Sequence, residues 1–221
     1  MSLKLYAHPL SSFCHKALIA LYERGTAFDF ELVNLVDPDS RAQFEALWPM
    51  AKMPVLRDEK RGCTVAESTV VIEYLDSFYP GPAKLIPADP DLAWKTRMWD
   101  RFFDNYVHQQ MQKITGDMLR PEGSHDPYGV EEAKTLIHKA YGIWERELGS
   151  RQWAMGADFT LADCSAAPAL FYADLYVPAS GAVSAYLDRL MARSSYARAL
   201  KEAEPYFQMF PGPRTPRVKR G

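Results

Sequence analysis

In YAHPLSSFCHK, residues 6 to 16, two hydroxyls and a lone thiol, Ser11, Ser12 and Cys14, stand where a short apolar strand gives way to a helix. Hydroxyls at such a junction have two uses. They can cap the helix, or they can donate hydrogen bonds to an anion held at the positive end of the helix dipole. Cys14 falls one turn into the helix, where a cysteine more often packs inward as a small hydrophobe. Two further stretches concentrate chemistry. In WPMAKMPVL, Pro54 opens a strand, a position that tolerates proline. A cis Met53-Pro54 bond there would turn the Met53 backbone toward a ligand, so that an extended peptide could pair with its N–H and C=O as an added strand. In AESTVVIEYL, Ser68 is expected as a helix N-cap, and Glu67 before it sets a carboxylate beside a hydroxyl and free helix N–H groups. That set can hold the ammonium and the carboxylate of one α-amino acid head group.

The surrounding elements must bring these stretches together. LKLYAH (3 to 8) alternates as a strand, and SSFCHKALIALYERG reads as a helix closed by Gly25 at the C′ position. AFDFELVNL (27 to 35) is a second strand, and PDSRAQFEALWP a short helix or irregular segment ended by Pro49. MPVLRDE and CTVAE form an antiparallel hairpin around KRG, and STVVIEYLDSFYP is a helix. The order βαβ, connecting helix, ββ, α predicts a four-stranded mixed sheet with helices on its faces. In that arrangement the loop before the third strand faces the N-terminus of the first helix. PGPAKLIPADPD, with four prolines, is a linker. Helices are expected beyond it at about 88 to 119, 129 to 149, 160 to 173 and 182 to 203, the last broken near Ser194-Ser195. The reading is therefore an α/β domain over 1–79, a linker over 80–87 and an all-α domain over 88–221. Thr160 and Asp163 form a capping box, with Phe159 and Cys164 as its hydrophobic staple, and both polar residues are folding determinants. The tail FPGPRTPRVKRG is proline-rich, basic and expected to be solvated.

Composition narrows the function class. The 221 residues are 48% hydrophobic and 24% charged, as in a soluble globular protein, and the net charge of -2 offers no field to recruit nucleic acid or an anionic membrane. No apolar run approaches the roughly 20 residues of a membrane span, and MSLKLYAHP lacks a signal-peptide core, so a cytoplasmic address is expected. Cys14, Cys63 and Cys164 form neither a CxxC pair nor a set with zinc spacing. Reduced thiols and no metal are expected.

Four of these pieces, SSFCHKALIAL, WPMAKMPVL, ESTVVIEYL and DFTLADCSAAPAL, give the chain a resemblance to the soluble glutathione transferases over residues 3 to 205, closest to serine-type bacterial, theta or zeta members. The resemblance implies a thioredoxin-like domain followed by a helical one, with glutathione as co-substrate. Its γ-glutamyl head would sit on Glu67 and Ser68, its cysteinyl backbone would pair with Met53 ahead of Pro54, and its glycine carboxylate would lie near Lys52. The chemistry implied is attack of the glutathione sulfur on a small hydrophobic electrophile. A thiol of pKa ~8.5 is only about 3% ionised at pH 7, so a hydroxyl and a helix dipole must favour the thiolate. Ser11 falls at the family's activating position, with Ser12 its rival. Tyr6 lies inside the strand, which argues against a tyrosine-type site. His15 is expected as a partly exposed helix residue that could approach the glycine end of glutathione. The electrophile would lie against the helical domain, near Tyr106, His108, Tyr206 and Phe210. The family also implies a homodimer, here with Trp94, Arg97, Met98 and Asp104 at the interface. The alternatives are a glutathione-dependent isomerase or dehalogenase, though Phe13 stands where such isomerases commonly have cysteine, and a non-catalytic ligand-binding or protein-interaction module. A dithiol oxidoreductase would need the CxxC that is missing.

Overall fold

The computed structural model describes residues 2–212; the reading of the tail from residue 213 onward lies outside them. Strands β1 (Leu3–Ala7), β2 (Asp29–Leu32), β3 (Val55–Asp58) and β4 (Cys63–Ala66) form one sheet in the order β2-β1-β3-β4. β1 runs parallel to β2 and antiparallel to β3, and β3 and β4 form the hairpin. Along β1 the alternation holds: Leu3, Leu5 and Ala7 are buried. Tyr6 points to the other face and stacks on Phe44 of α2 (Pro38–Leu47). Asp37 caps α2 through bonds from the Asp39 and Ser40 amides, which settles that segment as a helix.

Helix α1 (Ser12–Glu23) ends as its sequence predicts. Gly25 takes φ 60, the Gly25 amide bonds to the Tyr22 carbonyl, and the Thr26 amide reaches back to Leu21. The helix is buried almost throughout from Cys14 to Leu21, because it lies between the sheet and α7 (Leu161–Ala173) of the helical half. α7 is buried at every position and forms the centre of that half. Its start is the expected capping box: Asp163 accepts from the Thr160 amide at 2.9 Å and the Thr160 hydroxyl at 3.0 Å, and also from the Ala154 amide at 2.7 Å and Tyr186 at 2.6 Å.

α3 (Ser68–Phe78) completes the first half, and the segment before α4 (Pro90–Phe102) is pinned to it. The Leu85 and Ile86 amides bond to Asp76, and the buried Arg24 guanidinium binds Asp76 and the carbonyls of Leu75, Tyr79 and Ala83. Gly81 passes so close that a Cβ there would stand 2.6 Å from the Arg24 carbonyl oxygen. The long helix expected after the linker is continuous, but its middle, Phe103–His108, is a π-helical stretch joining α4 to α5 (Gln109–Met118). α6 (Pro127–Leu148), α8 (Gly181–Ala192), α9 (Ser194–Ala203) and a 3₁₀ turn over Glu204–Met209 follow. The break between α8 and α9 falls on Arg193, in extended conformation, one residue before the expected Ser194-Ser195.

The two halves are joined by buried charge. Lys16 of α1 is fully buried, and its ammonium contacts Asp100 at 2.5 Å, Asp104 at 2.8 Å and the Thr69 hydroxyl at 2.8 Å. Arg101 adds a second cation from the surface, binding both aspartates and Thr69, while Ser165 donates to Asp104 at 2.7 Å. Two cations thus balance two carboxylates, the condition under which such charges can be buried. This corrects the expectation for Asp104. It is 5% exposed and engaged within its own chain, so it is no interface residue, whereas Trp94, Arg97 and Met98 are exposed.

Lys16→Met should lower the unfolding free energy by about 3–5 kcal/mol, because it leaves two buried carboxylates to one surface arginine. Urea denaturation measures it, and a loss below about 1 kcal/mol would show that the cluster does not hold the halves together.

Candidate functional site

Strand register sets the geometry. Tyr6 pairs with Val55, and Val55 with Ala66, so the end of β1, the start of β3 and the end of β4 lie in one row across the sheet. The three stretches singled out by their chemistry leave or enter from that row: His8 to Ser12 after β1, Met53-Pro54 before β3, Glu67-Ser68 after β4. The Met53-Pro54 bond is cis. Met53 is half-buried, Pro54 buried, and Lys52 exposed.

The hydroxyls at the head of α1 are not consumed in capping. Ser11 occupies the N-cap position with extended backbone, yet its side chain makes no capping bond. Ser11 favours the charged form of the Cys14 sulfur, against the larger effect of burial. Ser11 is half-buried, while Ser12, the first helical residue, is only 4% exposed. Burial pushes the Cys14 thiol up to about 12, so this sulfur stays protonated and acts as packing.

At α3 the structure moves the cap by one residue. Ser68 is not the N-cap but the first helical residue, buried, and Glu67 holds the cap position with φ 67 and an exposed side chain. No side chain caps this helix either. A positive φ at a glutamate costs of order 1 kcal/mol or more, and such conformations concentrate where a side chain must be aimed. Glu67 is the least of the charges that raise the Arg101 pKa, after Asp100 and Asp104. Among the described residues no three His, Cys, Asp or Glu side chains stand together as metal ligands.

Other expectations fare differently. His15 is fully buried rather than partly exposed, because α1 has no solvent face at this level. Its Nε2 donates to the Pro9 carbonyl at 2.6 Å, and its ring lies against Tyr172 and Tyr196. The four residues assigned to the electrophile have different surroundings. Tyr106 is exposed beside Phe102, whereas His108 is fully buried, its ring 4.2 Å from that of Phe13 and Nδ1 3.5 Å from Asp104. Tyr206 packs edge-on against His8, and Phe210 against Tyr172 and Tyr176. A cavity of about 580 Å³ lies along the C-terminal half of α1, and of these four only Tyr206 lines it.

Sequence reasoning missed Lys16, Thr69, Asp100 and Arg101. The signal was present in WDRFFDNYVH: two aspartates four residues apart share a helical face with the buried Trp99 and Phe103, and carboxylates so placed need a cation.

Comparison with known proteins adds two family matches. Residues 5–83 match the glutathione S-transferase N-terminal domain and residues 127–201 the glutathione S-transferase C-terminal domain. The chain is 29% identical over 205 residues to the stringent starvation protein A homolog of Coxiella burnetii, covering 90% of this chain and 92% of that one. A glutathione S-transferase of Methylobacillus flagellatus solved with glutathione bound superposes with a TM-score of 0.78 at 26% identity, over 90% of this chain and 98% of the other. A second, from Methylobacterium radiotolerans in complex with glutathione sulfonate, gives 0.76 at 25% identity over 89% and 93%.

His15 gives a pH prediction. Burial lowers its imidazole from 6.5 to about 4, so the folded protein keeps it neutral where the unfolded chain would already be protonated. Its stabilising contribution, about 3 kcal/mol, is complete above the unfolded value and is lost as pH falls through that window. The urea midpoint should drop between pH 6.5 and 4. His15→Gln, which keeps a donor for Pro9, should flatten the drop; a curve of unchanged steepness would rule the assignment out.

Proposed function

The chain belongs to the glutathione S-transferase family, and we propose that it is a glutathione transferase acting on a small hydrophobic electrophile. The observation that carries this reading is the pair of helix N-termini at one end of the sheet, each free of a side-chain cap and each beside a serine. Amides left open in this way can meet an anion. Glu67, held outward, takes the ammonium of the γ-glutamyl head, and Ser68 with the α3 amides takes its carboxylate. The Met53 backbone pairs with the cysteinyl unit, and Lys52 meets the glycine carboxylate. When bound, glutathione supplies a sulfur nucleophile. Ser11, whose hydroxyl makes no capping bond, donates it to the glutathione sulfur and, with the α1 dipole, favours the thiolate. The burial of Ser12 leaves Ser11 the better placed of the two. The electrophile stands where Tyr106 is exposed. Residues 1–79 and 88–221, joined by 80–87, divide the work between glutathione and electrophile. Trp94 and Met98, with Val70 and Leu92 exposed nearby on α3 and α4, support a homodimer through that face.

Ser11→Ala should leave glutathione affinity within about tenfold and lower turnover of an aromatic halide by ~10² or more, since its hydrogen bond matters mainly to the charged sulfur. Ser12→Ala and Cys14→Ala should each change turnover by less than about tenfold. A Ser11→Ala enzyme of full activity beside a dead Ser12→Ala would move the role by one residue. Wild type that binds glutathione but turns over no electrophile would point to a binding module.

A further inference from the structure

Ser11 lacks the device that would orient its hydroxyl locally. A serine at the head of a helix is ordinarily held by its own capping bond, and this one makes none. Its direction depends instead on the backbone, which is fixed on both sides. The Ser11 amide donates to the His8 carbonyl at 2.9 Å, and the Ser11 carbonyl accepts from the His15 amide at 3.0 Å. The first of these bonds closes the turn His8-Pro9-Leu10-Ser11, with proline in its second position, where a φ of about −65° suits a turn.

Two imidazoles tie this turn. His15 Nε2 donates to the Pro9 carbonyl at 2.6 Å, and the Leu10 amide donates to His8 Nδ1 at 3.1 Å. The second contact fixes the His8 tautomer: a ring nitrogen that accepts carries no proton, so the neutral ring holds its proton on Nε2. Burial lowers the His8 imidazole from its ordinary 6.5, which keeps the Nδ1 lone pair free at neutral pH. Tyr206 of the 3₁₀ turn packs edge-on against the ring, centroids 5.4 Å apart, and holds it in place. A side chain that accepts from the amide two residues on is ordinarily an asparagine or an aspartate. An aspartate here would set a negative charge in the turn that leads to Ser11, opposing an anionic sulfur, whereas the imidazole is a neutral acceptor.

We propose that His8 is the positioning residue for Ser11: by holding the Leu10 amide, its Nδ1 lone pair sets the turn that aims the Ser11 hydroxyl at the glutathione sulfur. The inference rests on the transferase reading of Ser11. It makes the end of β1 part of the thiol-activating apparatus without a contact between His8 and either substrate.

The test is pH titration of glutathione bound to the full chain, followed by thiolate absorbance, with affinity measured alongside by calorimetry. His8→Leu, which keeps bulk but offers no acceptor, should make the bound thiol about tenfold less acidic and leave glutathione affinity within about threefold. His8→Asn places an oxygen where Nδ1 stands and should restore the acidity to within about twofold of wild type. His8→Gln reaches instead to where Nε2 stands and should behave as His8→Leu does. The comparison of asparagine with glutamine decides the matter even where leucine lowers stability. A wild type that binds glutathione without making its thiol more acidic would overturn the transferase reading, and this inference with it. An acidic thiol that survives in His8→Leu, or acidity that asparagine fails to restore or that glutamine restores equally, would overturn this inference alone.

Discussion

One buried ammonium constrains most of this molecule. Lys16 can lose its water only where carboxylates replace it, and both carboxylates come from the helical half. Thr69, the third partner, is the second residue of α3. The contact therefore fixes three things together: the position of α1 between sheet and helices, the approach of the π-helical stretch, and the head of the helix that carries Glu67 and Ser68. Arg101 extends the network to the surface, with Thr69 of α3 as its partner too. The proposed glutathione head site is thus built on a rigid charged base rather than on a mobile loop, which is the arrangement that preorganised recognition needs.

A second constraint is the common row of Tyr6, Val55 and Ala66. Because it aligns the strand ends, both helix N-termini open at the same side of the sheet. Ordinary folding economy would close each with a serine cap, yet the Ser11 side chain makes no capping bond, and Glu67 keeps a left-handed backbone while its side chain faces solvent. The capping stability forgone at these two positions is what supports the proposed glutathione site there.

What the sequence disclosed was local. Alternation in β1, Gly25 after α1, the Thr160 and Asp163 box and the hairpin all depend on neighbours within a few residues, and each appears in the structure. What it concealed was tertiary. His15 reads as a surface residue only if α1 has a free face, and α7 removes that face. Asp104 looks like an exposed charge until Lys16 arrives from a helix eighty-eight positions earlier. The π-helical stretch carries no local signature in FDNYVH, and the shift of the α3 cap from Ser68 to Glu67 depends on one backbone angle that side-chain preference does not reveal. For the candidate site, the three chemically rich stretches were legible, whereas the burial of His108 against Phe13 and Asp104 was not, because it depends on α1 packing against the π-helical stretch.

The central claim is that Glu67, aimed outward from the head of α3, anchors the γ-glutamyl end of glutathione. Calorimetric titration of glutathione into wild type and Glu67→Ala tests it directly. The variant should bind about 2–4 kcal/mol more weakly, because the substrate ammonium loses its carboxylate partner in a partly desolvated site. An affinity unchanged within about twofold would remove Glu67 from the site and contradict the account.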